Sequence, residues 1–247
     1  MNNPAITNIR RRRFLAAAGL AGLGLGLMTR GVAAAETPSA KIGIIGSGRI
    51  GSTLGGLWLK AGHEVMFSSL DLAYDQALAA RLGAGAHAGT PREAAAYGEV
   101  LLISVPYAAL PQLGRDLADS IQGKVLLDTC NPIPARDGDM AIEAKAVGAG
   151  ISSARLLPGA RLVRAFNSVG YSLLQSEAHR AGERVAIPLA SDDAQALATA
   201  VKLVQEAGFE PVVVGALARA RDFDPGTPVF GKALTAAQLR AALPNNP

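Results

Sequence analysis

Short apolar runs alternate along this chain with longer stretches whose apolar positions recur at helical spacing. The runs Ile42–Ile45, Glu64–Phe67, Val100–Val105, Lys124–Asp128, Arg161–Phe166, Arg184–Leu189 and Glu210–Val214 read as strands, with a weaker one at Ala84–Ala88. Between them the spacing predicts helices over about Ile50–Ala61, Leu72–Leu82, Ala141–Val147, Ser152–Leu157, Tyr171–His179, Asp193–Ala207 and Ala233–Ala242, and one ending near Leu117. Thr90-Pro91-Arg92-Glu93 reads as a helix start, with Thr as cap, Pro first and Glu third. Asn131-Pro132-Ile133-Pro134 reads as a loop that continues through Ala135–Asp139. Val100–Val105 is apolar but for Ser104, as a parallel strand covered on both faces should be. The alternation predicts an α/β fold of the Rossmann type, a doubly wound, mostly parallel sheet with helices on both faces. No internal repeat or linker divides it, so residues 41–247 are expected to form one NAD(P)-binding Rossmann domain with a small C-terminal extension.

The first strand runs into Gly46-Ser47-Gly48-Arg49-Ile50-Gly51, the G-x-G-x-x-G spacing of a dinucleotide fingerprint. Gly46 permits a tight turn, Gly48 lets backbone approach a pyrophosphate, and Gly51 lets helix and strand pack closely. The helix that opens there turns unpaired N–H groups toward an anion.

Composition changes the picture in one place. The formal charge is +4, but Arg10, Arg11, Arg12, Arg13 and Arg30 all precede the first acidic residue, Glu36. Removing those five from the 24 Lys and Arg leaves 19 against 20 Asp and Glu. The remainder lacks the basic footprint that a nucleic-acid partner would need. Cys130 is the single cysteine, and His63, His87 and His179 have no ligand spacing, so neither an internal disulfide nor a metal site is expected.

Residues 1–35 have the form of a signal peptide. Arg11-Arg12-Arg13-Phe14-Leu15 matches the core of a twin-arginine signal, the apolar stretch Phe14–Met28 follows, and Ala33-Ala34-Ala35 offers a cleavage site. That stretch is short for a membrane span of about 20 residues, although an uncleaved anchor is the alternative. The expected location is periplasmic or otherwise extracytoplasmic.

Ligands of open α/β sheets lie outside the carboxyl ends of the strands. Besides the glycine turn, three loops qualify. Ser68-Ser69-Leu70-Asp71 stands where the ribose selector belongs. An NAD site wants an acid at that point, whereas Ser68, Ser69 and Ser47 offer hydroxyls that suit the 2′-phosphate of NADP; Asp71 reads as a helix cap. Val105-Pro106-Tyr107 reads either as a strand end or as a rigid turn lining the nicotinamide ribose. Asn131-Pro132 either bonds a ligand or organises its own turn. No catalytic triad, carboxylate pair or assisted lysine stands out, so no catalytic residue is assigned. Hydride transfer needs only orientation of a cofactor that carries the chemistry.

These pieces resemble the NADPH-dependent F420 reductase family (NADP oxidoreductase, coenzyme F420-dependent), itself similar to the reductase domain of STEAP metalloreductases. The matching residues are Ile42–Gly51, Ala61–Val65, Ser68-Ser69, Val105–Tyr107, Asn131-Pro132, Ala165-Phe166-Asn167, Ser191–Asp193 and Gly215–Arg221. The resemblance implies NADP bound at Gly46–Gly51 with Ser47 and Ser69 at its 2′-phosphate. It also implies a second ring system, coenzyme F420 or a flavin, near Pro106, Asn131 and Asn167. The family's arginine after the second-strand serine is replaced by Leu70, for which Arg49 or Arg92 would have to substitute. The expected function is an exported NADP-dependent oxidoreductase of a deazaflavin or flavin-like acceptor. The alternatives are a non-catalytic dinucleotide-binding protein or a reductase of an imine or metal chelate. Expected partners are that small-molecule acceptor and the twin-arginine export machinery, with a homodimer as a possible assembly.

Overall fold

The structure, a computed structural model, describes residues 39–244. The expected signal sequence and its cleavage site lie outside the described residues. The framework runs β1 (Lys41–Ile45), α1 (Arg49–Lys60), β2 (Glu64–Ser68), α2 (Leu72–Leu82), β3 (Ala86–Ala88), α3 (Pro91–Tyr97), β4 (Val100–Ile103), α4 (Leu110–Asp116), β5 (Val125–Asp128), β6 (Arg161–Arg164), β7 (Ala186–Ala190) and β8 (Glu210–Gly215). They form one eight-stranded sheet in the order β3-β2-β1-β4-β5-β6-β7-β8. The first six strands are the Rossmann order 3-2-1-4-5-6, in which the chain switches direction beside β1. Every pairing is parallel except β6 with β7, which meet antiparallel at Arg164 and Ala190.

Period-two alternation distributes each central strand between two cores. Val100 and Leu102 of β4 join Ile42, Ile44, Leu54 and Trp58 on one face, whereas Leu101 and Ile103 join Ile45, Leu110 and Leu126 on the other. The apolar run of β4 is therefore buried on both sides. On the first face, Trp58 of α1 donates its indole N–H to the Leu203 carbonyl at 2.9 Å, tying α1 to helix Ala194–Glu206. A third cluster, including Phe223, Val229 and Leu239, covers β7 and β8 with the C-terminal segment.

Local signals hold at several boundaries. Thr90 and Glu93 form the expected capping box of α3, and Asp193 caps helix Ala194–Glu206. Strand β4 ends at Ile103 rather than Val105, and two further expectations fail. Residues Pro134–Asp137 are a short helix rather than loop. Pro134 starts it, and the buried Asp137 carboxylate closes it by accepting from the Ile133 N–H at 2.8 Å. Strand β6 stops at Arg164 instead of reaching Phe166, whose positive φ of 58° turns the chain out of extended conformation.

Candidate functional site

The glycine turn joins β1 to α1 at the carboxyl end of the sheet. The N–H groups of Gly46 and Ser47 both donate to the Ser68 carbonyl, at 2.8 and 3.0 Å, which anchors the turn to β2. Gly46 has φ 101°, and a side chain there would strike the Ser104 carbonyl. A Cβ at Gly51 would lie 2.1 Å from the Gly46 carbonyl, so the start of α1 can sit against the turn only without one. Gly48 differs, because a Cβ there would meet nothing within 4 Å. It is the N-cap of α1, with no side-chain cap and no acid in the first turn. The Ser52 N–H closes that turn onto the Gly48 carbonyl at 2.8 Å. The preceding amides have no partner within the helix and, with its dipole, favour an anion at this point.

Beside the turn opens a cavity of about 750 Å³, a size that suits a nucleotide. Ile45, Gly46 and Gly48 form one wall, Ser69, Leu70 and Asp71 the second, Thr90–Arg92 the third, and Ser104–Pro106 with α4 the fourth. The glycine cradle and the cavity together fit the pyrophosphate and adenosine end of a dinucleotide. Of the residues singled out from sequence, Gly46, Gly48, Ser69, Val105 and Pro106 line it.

The others lie elsewhere. Ser47 is wholly buried and its hydroxyl donates to the Asp75 carboxylate of α2. Ser68 is equally buried and donates to the Ile44 carbonyl at 2.7 Å, locking β2 to β1. Neither hydroxyl faces the cavity, against the expectation of a phosphate contact. Tyr107 is a core residue: its hydroxyl donates to the Ala149 carbonyl at 3.3 Å, and burial pushes its pKa up to about 12. It cannot line a ribose. Arg49 stacks on Tyr171, 4.9 Å from the ring centre, rather than standing in for the missing arginine, and Ile50 packs against the core. Arg92 does reach the cavity wall.

Leu70 is fully exposed at the cavity wall, where the family's arginine would stand. Leu70→Arg is expected to add one charge-assisted pair to a 2′-phosphate, worth about 1.5–3 kcal/mol, and so to raise NADP affinity roughly tenfold or more. NAD affinity should barely change. Calorimetric titration of both cofactors checks this, and equal gains for the two would remove position 70 from the ribose site.

Asn131, Pro132 and Asn167 stand outside that cavity, at the ends of β5 and β6. Asn131 and Asn167 meet in a network that sequence reasoning missed. Arg164, wholly buried, donates to Asp128 at 2.9 Å, to Asp224 at 2.9 Å and to the Asn131 side-chain oxygen at 2.8 Å. Burial works against its charge, but Asp128 and Asp224 outweigh that and hold its pKa above the ordinary value. The Asn131 amide donates to the Asn167 carbonyl at 2.8 Å, and the Asn167 amide donates to Asp224 at 3.2 Å. The side-chain oxygen of Asn167 is buried, with no donor to it among the described residues. One signal existed, since an arginine inside the apolar run Arg161–Phe166 needs a buried partner. Cys130 is buried beside this network, and burial raises its thiol pKa far out of the reactive range.

Comparison with known proteins agrees with this geometry. The family model of NADP oxidoreductase coenzyme F420-dependent matches residues 41–132. Metalloreductase STEAP3 of Rattus norvegicus is 28% identical over 195 residues, covering 77% of this chain and 37% of that protein. The chain thus spans little more than a third of the curated relative it matches. Among solved structures, the hypothetical protein SMa0349 from Sinorhizobium meliloti superposes with a TM-score of 0.67 at 25% identity, over 80% of this chain and 95% of its own. A protein from Arthrobacter sp. FB24 described as an F420-dependent NADP-reductase gives 0.62 at 24% identity, over 74% and 88%. The resemblance read from the sequence is thereby met: over residues 41–132, which hold the glycine turn, the Ser68–Asp71 loop and the Pro106 loop, the chain matches the NADP oxidoreductase, coenzyme F420-dependent family.

Proposed function

We propose that this protein is an NADP-dependent oxidoreductase that moves a hydride between NADP(H) and a flat-ringed acceptor, a deazaflavin or flavin. The observation that carries the reading is the open cradle at Gly48, continuous with a nucleotide-sized cavity, in a chain whose residues 41–132 match an NADP-dependent family. When bound, the nicotinamide supplies the hydride chemistry. The chain's own residues bind and orient. The amides at the start of α1 receive the pyrophosphate, Val105 and Pro106 set a rigid wall, and Asn131 and Asn167 are held by Arg164 at the far end. No proton relay among these groups is needed for transfer between two rings.

Incubation with NADPH and a deazaflavin, followed by absorbance at 340 nm, tests this. Oxidation that depends on the deazaflavin supports it. Binding of NADPH without oxidation of any acceptor would favour a non-catalytic dinucleotide carrier. Oxidation driven instead by a ferric chelate would favour the reaction named for the metalloreductase relative.

Export through the twin-arginine route belongs to the same proposal and rests on Arg11-Arg12, Phe14–Met28 and Ala33–Ala35. That route carries folded proteins, which suits a chain that binds its cofactor before leaving the cytoplasm. Replacing Arg11 and Arg12 by lysine is expected to hold the precursor in the cytoplasm on fractionation, and unchanged export would refute the route.

A further inference from the structure

Asp75 lies on the inner face of α2, wholly buried, directly behind the ribose end of the cavity. Its carboxylate accepts two hydroxyl hydrogens: one from Ser47 on the first oxygen and one from Ser69, at 2.8 Å, on the second. No cation pairs with it among the described residues. A serine has one hydrogen to donate. Once both are drawn inward, and with the Asp71 N–H donating to the Ser69 oxygen at 3.1 Å, Ser69 can present only its remaining lone pair to the cavity. Lone pairs accept from a ribose 2′-hydroxyl and repel a phosphate oxygen. The charged residues on the cavity wall point the same way, with Asp71 and Asp116 against Arg92 alone.

We propose that Asp75 is a specificity-determining residue that holds the hydroxyls of Ser47 and Ser69 away from a 2′-phosphate, so that the site accepts NAD alongside NADP. This rests on the dinucleotide-binding reading above and adds to it a residue that the glycine fingerprint does not include. An acid is the usual means by which a Rossmann site receives an unphosphorylated ribose, normally by direct contact from the end of the second strand. In this chain the acid stands one turn into the next helix and acts through the serine.

Calorimetric titration of NAD and NADP into the full mature protein, Asp75→Asn and Ser69→Ala tests it. The wild type is expected to bind the two cofactors within about tenfold of each other. In Asp75→Asn the new amide can donate to Ser69, whose hydrogen then turns into the cavity; NADP should bind on the order of tenfold tighter. NAD should change by less than about threefold. Ser69→Ala removes the lone pairs and should weaken NAD more than NADP. A wild-type preference for NADP of a hundredfold or more, an equal change for both cofactors in Asp75→Asn, or a selective loss of NADP in Ser69→Ala would each overturn the assignment. The wild-type ratio and Ser69→Ala decide the matter even if Asp75→Asn fails to fold. Absence of binding by either cofactor to the wild type would instead overturn the dinucleotide reading from which the assignment starts.

Discussion

Gly48→Val is expected to abolish dinucleotide binding while leaving the protein folded. Gly48 has φ −61°, which any residue adopts, and a Cβ there meets no atom within 4 Å. The change to stability should therefore stay at about 1 kcal/mol, the cost of replacing a favourable N-cap residue. The same side chain would fill the space at the start of α1 where a pyrophosphate must meet the backbone. A loss of at least about hundredfold in affinity, roughly 2.7 kcal/mol, is expected by titration. Gly51→Val provides the contrast. Its side chain would drive into the Gly46 carbonyl, so that variant should lose stability rather than binding alone. Wild-type affinity in a folded Gly48→Val protein would mean that the cofactor does not lie over α1.

Arg164→Met should be the most destabilising single change in the site. Arg164 and Asp128 have fully buried side chains, and the Asp224 side chain is only 15% exposed. Removing the guanidinium leaves two carboxylates facing each other without a cation. Breaking a buried pair in this way costs about 3–5 kcal/mol. For a domain of this size that lowers Tm by roughly 6–20 °C. Adding Asp128→Asn and Asp224→Asn to Arg164→Met should restore much of the loss, since the triple variant buries no charge from this set. A melting temperature unchanged in Arg164→Met would show that the network contributes no stability.

The parts of this protein that were legible in its sequence are those governed by neighbours along the chain. The glycine spacing and the capping box at Thr90 follow from contacts a few residues apart, and each is found where it was expected; the apolar run of β4 is found too, but ends at Ile103 rather than Val105. The ribose site was less legible. Ser47, Ser68 and Ser69 look equivalent as hydroxyls in a loop, yet Ser68 is taken by the β1 backbone and Ser47 by a helix 28 positions later. Asp75 looks like any acid near the start of a helix, where the dipole favours one. Tyr107 follows a loop proline and so reads as accessible, but its ring completes the core beneath helix Ala149–Leu156. Asp224 is separated by 60 residues from the arginine it pairs with, and no local pattern links them.

That separation has a consequence for synthesis. When the ribosome has released β6, the glycine turn, the cavity walls and Arg164 are all present in the emerging chain. The second carboxylate for Arg164 is not. It arrives only after β8 and the 3₁₀ helix Leu217–Phe223, which carry Asp224 back across the ends of β5 and β6. The same carboxylate then also accepts from Asn167 and from the Ala149 N–H. A nascent chain can thus form the cavity walls early, whereas the Arg164 network closes only once β8 and the 3₁₀ helix after it have been made.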